Sequence, residues 1–354
     1  MPLLAQYEAD PTPEEIALLR IEQARESDST ALDLSELGLT ELPPELWELT
    51  NLRQLDLHGN QLTNIPSEIT LLENLLSLSV GDNQLSSLPS EIGQLAHLEH
   101  LNLYDNDITT IPQEIWSLTN LRSFNLNGNS LMSVPPDISQ FTQIRYLGLG
   151  GNQLTVLPME IWELDSLSDL WLHDNGLTSI PPEIAQLSNL LYLRLYQNEL
   201  SSIPPEIGQL RHLLTLDIGS NQISSLPIEI NHLTQLENLY LNHNQLTTLP
   251  LDFSALINLS ALSIDNNLLT SLPRGLGHLD KLTTFRYENN PLEFPPPQVL
   301  EGGQFAVLEF LRHPQPSAPY RVGRVMLGTL FALIVSMAGI TFGWLYLLRW
   351  RWEM

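Results

Sequence analysis

LRQLDLHGNQLTNIPSEITLLEN, running from Leu52 to Asn74, is the stretch whose reading decides the fold. Its apolar positions are Leu52, Leu55, Leu57, Leu62, Ile65, Ile69 and Leu72. Leu55 and Leu57 alternate with Gln54, Asp56 and His58, the period-two pattern of a strand with one buried face. Ile65-Pro66 closes this half of the unit, and Glu68-Ile69 opens the segment that returns. The unit then recurs. Asn60, Asn83, Asn106, Asn129, Asn152, Asn175, Asn198, Asn221, Asn244, Asn267 and Asn290 stand 23 residues apart without a slip. A fixed period of this length marks a solenoid, in which each unit buries its apolar face only against its neighbours.

Parallel strands of successive units pair roughly 4.8 Å apart. Where the chain then turns inward, backbone donors and acceptors are buried without a ladder partner. A side-chain amide supplies both a donor and an acceptor, so a column of asparagines can satisfy these groups and link unit to unit. The eleven asparagines are therefore read as structural, not as a ligand site. The first unit carries Leu37 at this position, as terminal repeats are often atypical.

The return segment is equally regular. Proline falls at Pro43, Pro66, Pro89, Pro112, Pro135, Pro158, Pro181, Pro204, Pro227, Pro250 and Pro273, and in ten units an acid follows two residues later, Glu45 and Glu68 being the first two. Proline suits the first turn of a short helix, and a carboxylate there faces the positive helix end. A single helical or 3₁₀ turn is expected on the convex side of each unit.

With its Leu-Pro-x-Glu-Ile-x-x-Leu units, the chain resembles leucine-rich repeat proteins of the intracellular Ras-scaffold and plant disease-resistance type, and resembles the Cys-capped extracellular type less. The resemblance covers residues 30–297 in twelve units, with strand starts at Leu32, Leu55, Leu78, Leu101, Phe124, Leu147, Leu170, Leu193, Leu216, Leu239, Leu262 and Phe285. It implies an α/β horseshoe solenoid with a parallel sheet on the concave face and helical caps.

The expected organisation is an N-terminal helical cap (1–29), the repeats (30–297), a C-terminal cap helix (298–313), a linker (314–324), a transmembrane helix (325–348) and a tail (349–354). Thr12-Pro13-Glu14-Glu15 reads as a capping box opening a helix to about Ser27, with Ile16, Leu19 and Ala24 inward. Residues 1–20 have no basic start or apolar core of a signal peptide. Beyond Asn290-Pro291 and Pro295-Pro296-Pro297, the second cap helix is expected from Gln298 to Arg312, with Val299, Leu308 and Leu311 inward. This ending resembles the caps of bacterial repeat proteins that adjoin Roco-type GTPase domains, yet the chain has no phosphate-binding G-x-x-x-x-G-K-[ST] loop.

Val325 to Leu348 is 24 residues without a charge, enough helix to span a bilayer with some tilt. Arg321 and Arg324 flank one end, Arg349 and Arg351 the other, and Trp344, Tyr346, Trp350 and Trp352 supply interfacial aromatics. The reading is a single-pass, C-terminally anchored membrane protein with its repeats in the cytoplasm. Gly339 and Gly343 form a G-x-x-x-G, so this helix is a candidate for homo-oligomer packing.

The net charge of −26, from 41 acids against 15 bases, excludes nucleic acid as a natural partner. The chain has no cysteine, which removes disulfide caps, thiolate metal sites and a cysteine nucleophile. His97-Leu98-Glu99-His100 looks like a ligand cluster, but Leu98 and Leu101 are repeat positions and alternation turns the two histidines to different surroundings. No catalytic residue, metal ligand or cofactor site stands out of the repeat register.

The variable strand positions face the concave side. Most are small or polar, but units six to eight place Tyr146, Trp171, His173, Tyr192, Arg194 and Tyr196 on adjacent strands, with Tyr240 two units on. Aromatic and arginine side chains are enriched among binding hot spots. Equal positions on neighbouring strands meet, so Trp171 should lie beside Arg194 and His173 beside Tyr196, all pointing away from the core. The sequence thus reads as a non-enzymatic scaffold that binds a protein or peptide. The Ras-scaffold resemblance extends the ligand class to a small GTPase or another signalling protein. An outward-facing receptor or adhesion module, and a structural membrane protein without a specific ligand, are the alternatives.

Overall fold

The structure is a computed structural model and describes residues 11–250 and 253–313. The linker, the apolar segment 325–348 with Gly339 and Gly343, and the tail lie outside the described residues. Among the described residues no helix is long and apolar enough to cross a membrane.

Helix α1 (Pro13–Glu26) opens on the Thr12 capping box: the Thr12 amide donates to Glu15 Oε2 at 2.9 Å, and the Glu15 amide donates to Thr12 Oγ1 at 3.3 Å. It buries Ala17, Ile21 and Ala24. Ile16 and Leu19, expected inward, are half-buried instead, because the helix sets its small Ala17–Ile21–Ala24 stripe against the first unit. Arg20 Nη1 donates to the Asp33 carbonyl at 2.9 Å. The lid thereby covers an edge that would otherwise offer itself to another chain.

Twelve strands follow in one parallel sheet whose spatial order is the chain order. They are β1 (Ala31–Asp33), β2 (Gln54–Asp56), β3 (Ser77–Ser79), β4 (His100–Asn102), β5 (Ser123–Asn125), β6 (Tyr146–Gly148), β7 (Asp169–Trp171), β8 (Tyr192–Arg194), β9 (Thr215–Asp217), β10 (Asn238–Tyr240), β11 (Ala261–Ser263) and β12 (Thr284–Arg286). The expected starts at Leu32, Leu55 and their equivalents are the strand centres. Each strand begins one residue earlier, since its apolar centre is buried and both flanking residues face outward. Register is kept at one unit throughout, for example Leu170 opposite Leu193.

The convex side is built from five-residue 3₁₀ helices such as Ser67–Leu71, Met159–Glu163 and Pro205–Gln209. A 3₁₀ turn is narrower than an α-helix about 10 Å across, so it stacks more nearly at strand spacing. The repeat prolines cap these helices from just outside, as Pro66, Pro158 and Pro204 do, instead of occupying the first turn. A proline ring there sets φ and gives up only a donor that the short turn leaves unpaired. The paired acids do lie in the first turn, as with Glu68 and Glu160.

The asparagine column links units through side-chain amides. Asn152 Nδ2 donates at 3.0 Å to the carbonyls of Leu126 in the preceding unit and Leu149 in its own, and its Oδ1 accepts from the Leu131 amide at 3.0 Å. Asn60 does the same for the first unit, accepting from Leu37 and Leu39 at 3.2 and 2.9 Å. The residue before each asparagine is left-handed, whether glycine (Gly59, φ 67°; Gly151, φ 62°) or not (Asp82, φ 52°; Gln197, φ 54°; His243, φ 54°). Eight non-glycine residues accept this strained conformation here, which the amide column holds in place.

At the far end the expected single helix is two, α2 (Pro297–Leu300) and α3 (Gly303–Arg312), because Gly303 takes φ 76° and breaks it. Val299, Val307, Phe310 and Leu311 are buried, and Leu308 only partly. Gln304 stands in for a thirteenth strand: its Oε1 accepts from the Phe285 amide and its Nε2 donates to the Thr283 carbonyl, both at 2.8 Å. Gly277 lets α3 approach, since a Cβ there would lie 2.3 Å from the Arg312 amide nitrogen.

Candidate functional site

Three positions per unit face the concave surface: the two outer strand residues and the residue two beyond the strand. In the middle row, register pairs Gly148 with Trp171, Trp171 with Arg194, Arg194 with Asp217 and Asp217 with Tyr240. The third row, at 23-residue intervals, carries Asn127, Gly150, His173, Tyr196, Gly219 and Asn242.

These rows bring five of the predicted residues into one contact chain. Tyr146 meets Trp171 edge to face, with ring centroids 5.1 Å apart and planes at 74°. The Arg194 guanidinium carbon lies 4.0 Å from the Trp171 ring centroid, a cation–π arrangement. Trp171 touches His173 at 6.1 Å, and His173 stacks on Tyr196 at 4.5 Å and 15°. Among the described residues Tyr192 joins none of these ring contacts. It is half-buried on β8, in register with Asp169 and Thr215. Tyr240 lies two strands beyond Arg194, separated from the patch by Asp217.

The side chains are half-buried, because each ring leans onto the preceding unit. Glycines make this possible. A Cβ on Gly150 would sit 2.3 Å from the His173 ring, and one on Gly148 would sit 2.8 Å from the Tyr146 hydroxyl. Gly148 and Gly150 escaped the sequence reading. The signal was present: a glycine on the concave face with an aromatic ring exactly one unit later. The same device recurs at Gly81, where a Cβ would meet the Tyr104 ring at 2.4 Å. Tyr104 also stacks on His58, 5.4 Å between centroids, with its hydroxyl 3.0 Å from His58 Nδ1.

Burial governs the electrostatics. It pushes the Tyr146 hydroxyl up to about 12, against the opposing effects of the Asn127 hydrogen bond at 3.0 Å and the Arg194 charge. Burial, then Arg194, hold His173 below the usual imidazole range, with Asp174 opposing. Burial raises Tyr196, reinforced by Asp217, and it raises the Asp217 carboxyl despite the Gly219 amide and Arg194. Buried Trp171 Nε1 and His173 Nδ1 have no hydrogen-bond partner among the described residues. Outside the patch, Trp162 Nε1 and Asn231 Oδ1 on the convex side are in the same condition.

Nothing in the arrangement positions a nucleophile beside a base. His97 and His100 are both exposed, His100 on β4 and His97 on the connection before it. Among the described residues no group of three or more metal-ligating side chains comes together.

A parallel sheet built one strand per 23-residue unit, with an asparagine ladder and 3₁₀ returns, defines a leucine-rich-repeat solenoid. A family model described as "Leucine-rich repeat region" matches residues 31–134 and 186–294, and the chain belongs to this family. Solved structures agree. The leucine-rich-repeat protein LIC12759 of Leptospira interrogans is 39% identical, with 78% of this chain and 75% of that chain covered and a TM-score of 0.66. The Arabidopsis receptor kinase HAESA, in complex with the peptide hormone IDA and the co-receptor SERK1, is 28% identical over 75% of this chain and 47% of its own, with a TM-score of 0.67. The plant peptide hormone receptor RGFR1, in complex with RGF2, is 33% identical over 74% and 48%, with a TM-score of 0.60. This chain thus matches less than half of either plant receptor. No curated protein matches it. Proteins of this family and fold are typically modules that bind proteins or peptides.

Proposed function

We propose that this chain is a non-enzymatic binding module that holds a peptide or an extended protein segment on its concave face across β6 to β8. The observation that carries this reading is the unbroken contact chain Tyr146–Trp171–Arg194 and Trp171–His173–Tyr196. Its rings are locked by packing on a rigid sheet before any ligand arrives, and preorganisation of this kind raises affinity by lowering the ordering cost of binding. The complexes of HAESA with IDA and of RGFR1 with RGF2 support a peptide as the ligand. The segment 325–348 acts as the membrane tether, the repeats lie on the cytoplasmic side, and Gly339 and Gly343 pack helix against helix. A small GTPase belongs in the test panel because the repeat units resemble the Ras-scaffold type.

The test is a random-peptide display selection on the full chain in detergent micelles, run beside a Trp171→Ala, Arg194→Ala double variant. Peptides enriched by the parent and lost by a folded double variant support the reading. Equal enrichment by both moves the binding surface elsewhere, and no enrichment favours a structural role without a ligand. A second reading, an outward-facing receptor, is favoured by the likeness to plant hormone receptors.

A further inference from the structure

Along the concave face two glycines of the third row are covered by the next unit's ring: Gly81 by Tyr104 and Gly150 by His173. At Gly219 the pattern stops. The next unit offers Asn242 instead of a ring, and Tyr196 has turned the other way, onto His173. What remains is a depression of about 190 Å³ lined by Tyr196, Asp217, Gly219, Ser220, Tyr240 and Asn242.

Asp217 is the charge in this depression. Its Oδ1 accepts from the Gly219 amide at 3.1 Å, the one hydrogen bond of its side chain among the described residues. Its register neighbour Arg194 would be the natural counter-ion, but that guanidinium lies on Trp171 instead. Among the described residues no ion pair within 4.0 Å joins the two. A half-buried carboxylate is thus left with a single amide donor, between two tyrosines.

We infer that this depression receives the cationic head of an arginine or lysine side chain from the bound peptide, with Asp217 as its counter-ion and Tyr196 and Tyr240 as its walls. The two tyrosines belong to units either side of β9 and are offset by two residues along the strand direction, so their backbones stand roughly 12 Å apart at ordinary strand spacing and rise, room for one flat cation beside the rings. Arg194 acts on Asp217 only from beyond ion-pair distance, and a cation there would supply the close charge partner. The chain's net charge of −26 would also draw such a ligand in. Burial already disfavours the charged Asp217 carboxylate, so the ligand's charge relieves a cost present in the free protein. This assignment rests on the peptide-binding reading above and adds the ligand's chemistry to it.

The probes are end-blocked, fluorescently labelled pentapeptides with one variable residue among four glycines: arginine, lysine, citrulline or glutamate. They are titrated against the full chain in micelles and against Asp217→Asn, which keeps an oxygen for the Gly219 amide and whose folding is checked by thermal melting. Arginine and lysine peptides should bind saturably, citrulline and glutamate about tenfold more weakly or worse, and Asp217→Asn should weaken the arginine peptide about tenfold while leaving citrulline unchanged. Citrulline binding as well as arginine would overturn the assignment. So would an unaffected Asp217→Asn variant, no saturable binding of the arginine peptide up to about 10 mM, or free ethylguanidinium binding as tightly as the peptide. If display still yields ligands sensitive to Trp171 and Arg194, only the cation assignment falls. If display yields none, the peptide-binding reading falls with it.

Discussion

Arg194 rests its guanidinium on the Trp171 ring, 4.0 Å from the centroid. The two residues are 23 positions apart and opposite each other in register, so the contact joins two units, not two neighbours in sequence. It holds the Arg194 guanidinium on the aromatic patch, and among the described residues no ion pair within 4.0 Å joins it to Asp217.

Trp171→Ala removes this contact and the edge-to-face packing on Tyr146 at 5.1 Å. Because Trp171 is half-buried, the loss should cost about 1–2 kcal/mol. Denaturant unfolding should show a lower midpoint with cooperativity retained. A midpoint equal to the parent's would mean the ring is held by nothing that matters to the fold.

Asn152→Ala should cost about 1–3 kcal/mol, because it strands the buried Leu131 amide and removes one of two donors from the Leu126 and Leu149 carbonyls, which keep Asn129 and Asn175. Asn290→Ala removes equivalent bonds to Leu269, Ile264 and Tyr287, but Asn290 is only half-buried and water can replace it. Its cost should be smaller. Equilibrium unfolding of the two variants side by side checks the order, and a reversed order contradicts the ladder argument.

Acid should act on the patch in two opposite ways. The Asp217 carboxyl is raised in the folded chain, chiefly by burial. Its stabilising contribution is therefore present below the unfolded value of 3.8 and lost as pH rises through the folded value. Asp217→Asn should be more stable than the parent at neutral pH, and the gap should close on acidification. His173 is held low in the folded chain. The parent should lose stability relative to His173→Gln as pH falls below the unfolded value of 6.5. Thermal melts across pH 3 to 8 read both trends.

Topology is checked with single cysteines, which the cysteine-free chain makes simple. With the repeats cytoplasmic, a cysteine at Ser29 should resist an impermeant thiol reagent applied to intact cells, and one inserted after Trp352 should react. The reverse pattern would place the repeats outside and favour the receptor reading.

Some of this was determined by the sequence alone. The 23-residue period specifies the strands, their parallel register and the buried leucines, because each unit needs only its neighbours to hide its apolar face. The same period places Trp171 beside Arg194 and His173 beside Tyr196, and Thr12 and Glu15 announce their capping box by spacing alone. The tertiary structure decided which way the rings lean. His173 lies over Gly150, Tyr196 over His173, and Gly219 meets the Asn242 side chain in place of a ring. It also decided that Ala17 and Ile21 pack where Ile16 and Leu19 were expected, that Gly303 divides the last helix, and that Asp217 is left without a counter-ion. A side chain's direction depends on the space that residues one and two units away leave for it. That space is a property of packed neighbours, and no window of contiguous sequence contains it.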